Sequence, residues 1–240
     1  MTAILHIDQL AKSYGKQSVL RGVSLDLQSG ESFGLVGMNG AGKTTLIKCV
    51  LDFCAIDGGS IALAGLPHEA KHARKPLAYL PENFMPPYYL TGRDFVKYIL
   101  ELRGQPYSED QTRALFTALD IDPEALSKLA RSYSKGMTQK LGLAACFLSD
   151  AGLFILDEPM SGLDPKARAL VKRQLAALKA AGKTLFFSSH VLADVEELCD
   201  RMGILHGGEL RFTGAPADCR ARYGAASLEE AYLACIDGGT

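Results

Sequence analysis

The chain has 240 residues, 48% of them hydrophobic, with 26 Lys+Arg against 27 Asp+Glu for a formal net charge of -1. It is long enough to bury a substantial core, and its composition excludes disorder. The near-neutral balance argues against broad nucleic-acid binding, which needs a basic surface. A membrane-spanning helix needs about 20 consecutive apolar residues. No run here approaches that length; the richest stretch, 141–156, is broken by Ser149 and Asp150. Residues 1–10 carry Asp8 and lack a basic leader, so they do not read as a signal peptide. Six cysteines (Cys49, Cys54, Cys146, Cys199, Cys219, Cys235) form no CxxC pair and read as buried reduced thiols.

In chain order, residues 4–7, 23–27 and 32–36 read as short strands, with a turn signal at Ser29-Gly30-Glu31. A glycine-rich stretch at 37–42 precedes an expected helix over 44–51, and Asp57-Gly58-Gly59 reverses the chain into a strand at 60–63. From about 91 to 119 the pattern turns helical: Phe95, Ile99 and Leu102 make one face, and Ala114, Leu115, Ala118 and Leu119 a second. Ser134 would cap a helix whose buried stripe is Leu141, Ala144, Ala145 and Leu148. A strand (153–156), a helix (166–180), a strand (184–188), a helix (191–198) and strands near 201–205 and 209–213 follow. Strands alternating with helices predict an α/β fold, a mostly parallel sheet covered on both faces.

Gly37-Met38-Asn39-Gly40-Ala41-Gly42-Lys43-Thr44 fits G-x-x-x-x-G-K-[ST] without a mismatch, between a strand and a helix. Glycines allow a sharp turn in which successive N–H groups point at phosphate oxygens, and the helix N-terminus adds partial positive charge. Lys43 would reach the β- and γ-phosphates of a nucleotide, and the Thr44 hydroxyl would ligate Mg²⁺. Thr45 belongs to the same helix start. Downstream, 153–156 is an apolar strand ending in Asp157-Glu158. A parallel strand delivers its carboxyl end to the edge that carries the phosphate loop. Asp157 is then placed to hold Mg²⁺ through water, and Glu158 to orient and deprotonate an attacking water.

With these residues in place, nearly the whole chain resembles the ABC ATPase family. Ser132-Tyr133-Ser134-Lys135-Gly136-Met137-Thr138-Gln139 stands where that family carries its LSGGQ signature. Ser161-Gly162-Leu163-Asp164 looks like its D-loop, His190 in Ser188-Ser189-His190 like its switch histidine, and Tyr14 like the aromatic that stacks on adenine. The resemblance implies one ABC ATPase domain over 1–240. Its P-loop NTPase core would span about 1–84 and 151–223, with a small antiparallel β subdomain, a helical subdomain inserted at about 85–150 and a tail helix at about 226–236. It implies ATP and Mg²⁺ as ligands and a homodimer closing head to tail around ATP. Ser134 and Gly136 of one subunit, with Asp164, would meet the nucleotide held by the other. It also implies integral membrane subunits as partners, a peripheral place on the cytoplasmic face of the cytoplasmic membrane, and no nucleic-acid partner. A soluble ATPase remodelling ribosomes or DNA is the competing class; such proteins usually carry two ATPase domains or a long coiled-coil insertion.

Three positions depart from the family's pattern. Glu82, in Tyr79-Leu80-Pro81-Glu82-Asn83, stands where a glutamine is usual; it can still coordinate Mg²⁺, but adds negative charge beside ATP. The signature reads Ser-Lys-Gly-Met, keeping the serine and the second glycine, and Met160 replaces a threonine. The Tyr-Leu-Pro-Glu-Asn and Tyr-Ser-Lys-Gly-Met stretches resemble single-domain subunits of ABC-2-type exporters, those associated with copper-enzyme maturation among them. Phe84, Met85, Tyr88 and Tyr89, among two prolines, form an aromatic-rich segment that either packs internally or grips a membrane subunit. His68-Glu69-Ala70-Lys71-His72 matches a zinc-protease pattern, but lacks an apolar face and reads as a solvated turn. His6 and His206 read as packing residues in strand-like surroundings, and 228–235 as an amphipathic tail helix packed on the core.

Overall fold

The computed structural model describes residues 3–238; the outermost residues of the expected 1–240 span, 1–2 and 239–240, lie outside the described residues. Two long strands, β1 (Ala3–Tyr14) and β2 (Gln17–Gln28), form an antiparallel hairpin. They outrun the expected short strands because only their alternate buried residues, such as Leu20, Val23, Leu25 and Leu27, carry a hydrophobic signal. With β4 (Gly58–Leu63) and β5 (Leu66–Pro67) they build a four-stranded antiparallel sheet in the order β2-β1-β4-β5.

The second sheet carries the site. Its order is β10-β9-β3-β8-β7-β6, from β3 (Ser32–Val36), β6 (Leu77–Leu80), β7 (Leu153–Leu156), β8 (Thr184–Ser189), β9 (Arg201–His206) and β10 (Glu209–Gly214). All neighbours pair parallel except β9 and β10. Val36, Leu80, Leu156 and Ser189 therefore end their strands at one edge. Strands β3, β7 and β8 are buried along their whole length, which explains their continuous apolar runs.

Helix α1 (Lys43–Val50) lies between the two sheets and buries Leu46, Ile47, Cys49 and Val50. Phe33 stacks on Phe186 with ring centroids 5.8 Å apart in the same core. A second core lies on the sheet's other face, under α5 (Pro165–Ala180), α6 (Leu192–Leu198), α7 (Pro216–Tyr223) and α8 (Leu228–Ile236), and continues into the helices between β6 and β7. The tail helix is there as expected, with Leu228, Ala231 and Cys235 buried; α7, short and polar, had no periodic signal.

The helical pattern over 91–119 divides into α2 (Gly92–Leu102) and α3 (Glu109–Ala118), followed by α4 (Lys135–Leu148). Gly104, at φ 69, turns the chain after α2. Thr91 and Asp94 form a reciprocal capping box on α2, and Ser108 caps α3. Arg93 donates two hydrogen bonds of 2.8 Å to the Glu109 carboxylate, joining α2 to α3. Lys140 of α4 is buried, and its ammonium donates to the carbonyls of Leu119 and Asp120 at 2.9 and 2.8 Å. Burial outweighs the nearby Asp120 and holds its pKa below the usual lysine range.

Two expectations for histidines are corrected. His6 is exposed and pairs with Asp26 across the hairpin, because it sits on the outward face of β1. His68 is buried, not solvated, since β5 turns it inward beneath the Arg74 side chain, which donates to its carbonyl. His72 lies on an exposed 3-10 turn, so no helical face unites the two histidines. Among the described residues no helix is long and apolar enough to cross a membrane. The six cysteines are free thiols, four buried and two, Cys54 and Cys199, half-buried.

Candidate nucleotide-binding site

The loop from Gly37 to Gly42 joins the carboxyl end of β3 to the first turn of α1. Gly40 and Gly42 take φ values of 84 and 109, in the left-handed region where a Cβ is strained. At Gly37 the reason is space: an added Cβ would lie 2.5 Å from the Leu205 carbonyl oxygen. A cavity of about 330 Å³ opens over this loop, and Val19, Met38, Asn39, Gly40, Gly42, Lys43, Thr44, Thr45, Glu82 and Glu158 line it. Five of the loop and helix-start residues selected from the sequence therefore share one cavity with Lys43, and both acidic candidates Glu82 and Glu158 face it. Gly37 and Ala41 shape the loop from behind without lining it.

Lys43, Asp157 and Glu158 are buried, while His190 beside them is half exposed. Lys43 is 7% exposed and donates from Nζ to the Gly37 carbonyl at 2.7 Å. Its ammonium also lies 3.5 Å from Glu158 Oε1, which makes no hydrogen bond. His190, at the end of β8, shares a hydrogen bond of 2.8 Å between Nδ1 and Glu158 Oε2. The two carboxylate oxygens of Glu158 thus face two different cations or donors. Glu158 has φ 48, an uncommon conformation outside glycine, and it directs the chain out of the sheet immediately after Asp157.

Asp157 is 1% exposed and accepts from the Thr44 hydroxyl at 2.8 Å on Oδ2. Hydroxyl and carboxylate are hard oxygen donors of the kind that suits Mg²⁺. Among the described residues no cluster of three or more His, Cys, Asp or Glu is arranged to hold a metal. A cation held by one or two protein oxygens and by substrate phosphates needs no such cluster. Burial and the Asp157 charge push the neighbouring Tyr79 phenol up to about 12.

Ser134, Gly136 and Asp164 do not line the cavity. Ser134 caps α4 by accepting from the Met137 N–H at 3.2 Å, as its position before the helix predicts. Asp164 caps α5 in the same way, from Ala167 at 2.8 Å. The two loops touch: a Cβ on Gly162 would lie 3.3 Å from Lys135 Cε, and Gln139 donates to the Pro159 carbonyl at 3.1 Å. Tyr14 also stands outside the cavity, half exposed at the hairpin end, with the Lys12 ammonium 5.4 Å from its ring centre. Val19, on the second strand of that hairpin, lines the cavity instead; a lone valine in a strand carries no sequence signal for such a place.

Just beyond Glu82 the segment with two prolines divides in the way its composition left open. Phe84 packs inward on Phe95, ring centroids 5.5 Å apart, whereas Met85, Tyr88 and Tyr89 are 85%, 68% and 65% exposed. Tyr88 and Tyr89 meet edge to face at 5.4 Å and leave the rest of their rings to solvent.

Fold and loop together define a P-loop NTPase. A family model described as "ABC transporter" matches residues 20–161. An uncharacterized ABC transporter ATP-binding protein of Synechocystis sp. is 40% identical over 93% of this chain and 62% of its own length. The linearmycin resistance ATP-binding protein of Bacillus subtilis is 30% identical over 97% and 78%. The Nod factor export ATP-binding protein I of Paraburkholderia xenovorans is 35% identical over 90% and 72%. A solved structure described as the ATP binding subunit of an ABC transporter superposes with a TM-score of 0.90 at 32% identity, covering 97% of this chain and 99% of that one. The chain belongs to the ABC transporter family. It spans about three fifths of the length of the first relatives it matches, 62% and 59%.

Proposed function

We propose that the chain is the ATP-binding and ATP-hydrolysing subunit of an ABC exporter, working as a homodimer on separate membrane subunits at the cytoplasmic face of the cytoplasmic membrane. The observation that carries this reading is the contact of two buried side chains, Lys43 and Glu158, 3.5 Å apart in one open cavity over a phosphate loop. ATP phosphates entering the loop would meet backbone N–H groups, the α1 N-terminus and the Lys43 ammonium. Drawn toward phosphate, Lys43 leaves Glu158 Oε1 free to accept a proton from the attacking water. His190 then holds the other oxygen, so the carboxylate keeps its direction through the step. Thr44 and Asp157, with Glu82 across the cavity, would hold Mg²⁺, which supplies charge neutralisation at the β- and γ-phosphates.

The dimer is supported by where the signature lies. Ser134 and Asp164 are exposed, their loops touch, and neither they nor Gly136 line the cavity of their own chain, which fits a head-to-tail pair. ATP then joins two subunits, and loss of the γ-phosphate releases them. Export is supported by the two relatives whose names carry export or drug resistance.

Steady-state turnover of the purified chain and of Glu158→Gln tests the core of this reading. The variant should bind ATP as the wild type does but turn over at least about 100-fold more slowly, the usual scale for losing a general base. With Mg-ATP it should sediment as a dimer. Equal rates for the two proteins would remove Glu158 from the chemistry.

A further inference from the structure

Parallel pairing puts β8 between β3 and β7, with Leu156 opposite Phe187 and Leu35 opposite Ser188. The residue after Phe187 therefore lies beside the residue after Leu156, at the sheet edge that meets the phosphate loop. Those two residues are Ser188 and Asp157. Ser188 is fully buried, and its hydroxyl is used twice: it donates to Asp157 Oδ1 at 2.6 Å and accepts from the Glu158 N–H at 2.9 Å.

Each bond does a separate task. Asp157 has two oxygens, one facing the Thr44 hydroxyl and one facing Ser188. With Oδ1 tied, the carboxylate cannot rotate about its terminal torsion, and Oδ2 stays directed at Thr44. The second bond satisfies the N–H of a residue in the left-handed region, whose turn out of the sheet breaks the β ladder. A buried N–H left without a partner is destabilising, so the hydroxyl helps keep Glu158 at φ 48. That conformation aims the Glu158 side chain back toward Lys43 and His190.

From this geometry we infer that Ser188 is a positioning residue that sets the metal-side carboxylate of Asp157 and the backbone of Glu158 with one hydroxyl. Its hydroxyl is engaged by Asp157 and the Glu158 N–H, so it acts through these two neighbours. The inference rests on the ATPase reading above, because it assigns Ser188 a role in that site's chemistry. It also requires a hydroxyl at this position specifically: Ala keeps the strand but supplies neither bond, whereas Thr restores the hydroxyl and adds one methyl.

The test compares Ser188→Ala and Ser188→Thr with the wild type in two measurements. The first is steady-state turnover with kcat and KM separated; the second is binding of a fluorescent ATP analogue with and without Mg²⁺. For Ser188→Ala the expected result is a fall in kcat of about tenfold or more with KM for ATP little changed, as when one orienting hydrogen bond is lost. Its metal-free affinity should match the wild type, while the gain in affinity on adding Mg²⁺ should shrink several-fold. Ser188→Thr should recover most of both losses. A purely structural role would lower the melting temperature of both variants without altering the Mg²⁺ gain. Ser188→Ala with wild-type kcat and a wild-type Mg²⁺ gain would overturn the inference, as would Ser188→Thr failing alongside Ser188→Ala. A wild type that binds Mg-ATP without turning it over would contradict the ATPase reading instead, and the Mg²⁺ gain alone would then decide the role of Ser188.

Discussion

Glu82 and Tyr88 are close neighbours along the chain, yet the surfaces they border are built on opposite plans. Around the phosphate loop, polar groups are buried and tied to one another: Lys43 to Gly37 and Glu158, Glu158 to His190, Asp157 to Thr44 and Ser188. Beside α2, apolar side chains are left in water: Met85, Tyr88 and Tyr89 are mostly exposed and contact little besides one another. Buried charge is costly unless it is paired, so the first surface holds its groups in a network in which Glu158 Oε1 alone lacks a hydrogen bond among those groups. Exposed aromatics gain by being covered, so the second surface fits the membrane partner proposed above. The contrast fits the reading proposed above, in which chemistry at one surface is passed to a partner at the other. Gly142 of α4 is the joint between them, because its bare backbone lets Leu80 of the site strand and Phe84 of the aromatic segment pack against the helix.

The largest effect expected is at the charged surface. Lys43→Ala should weaken ATP binding at least about 100-fold, near 2.7 kcal/mol, because a charge-assisted phosphate contact is lost and Glu158 is left without its cation. Isothermal titration calorimetry checks this, and an unchanged affinity would remove the lysine from the nucleotide site. At the joint, Gly142→Ala would place a Cβ 2.6 Å from Leu80 Cδ1 and 2.7 Å from Phe84 Cδ1. Overpacking of about 1–3 kcal/mol, offset by about 1 kcal/mol of helix propensity, should leave a net loss near 1 kcal/mol and a melting temperature lower by about 2–4 °C.

A smaller effect concerns the junction of α2 with α3. The two hydrogen bonds from Arg93 hold the Glu109 carboxyl down at about 2. A depressed folded-state pKa stabilises the protein above the unfolded value, about 4.3, and that stabilisation is lost as pH falls from there toward 2. Both side chains are 38% exposed, so solvent screening limits the contribution to under about 1 kcal/mol. Glu109→Gln should therefore melt slightly below the wild type at pH 6 to 7, and the gap should close as the pH is lowered below about 4. A gap of constant size across that range would exclude the ion pair as its source.

Least visible in the isolated chain is the aromatic surface itself. Tyr88→Ser with Tyr89→Ser should change stability by no more than about 0.5 kcal/mol, since little is buried there. ATP binding should also be unchanged. Co-purification with a membrane subunit is the property it should lose, and intact co-purification would break the comparison drawn above.

Much of this molecule was legible in the chain because its signals are local. The phosphate loop needs glycines at fixed spacing before Lys43; the cap at Ser134 needs only a short polar side chain before a helix; and continuous apolar runs marked the buried strands β7 and β8. Neighbouring residues along the backbone decide these features, so tertiary contacts are not needed to see them. Other features depend on pairing between distant segments. The inward turn of His68, the outward face of His6, the place of Val19 over the cavity and the double use of the Ser188 hydroxyl follow from which strand lies beside which, and in what register. By itself, then, the sequence determined the fold class and singled out the loop and acidic residues that the structure gathers at one cavity. Only the tertiary structure decided how those groups hold one another, because a strand's side chains acquire partners only once its neighbours are in place.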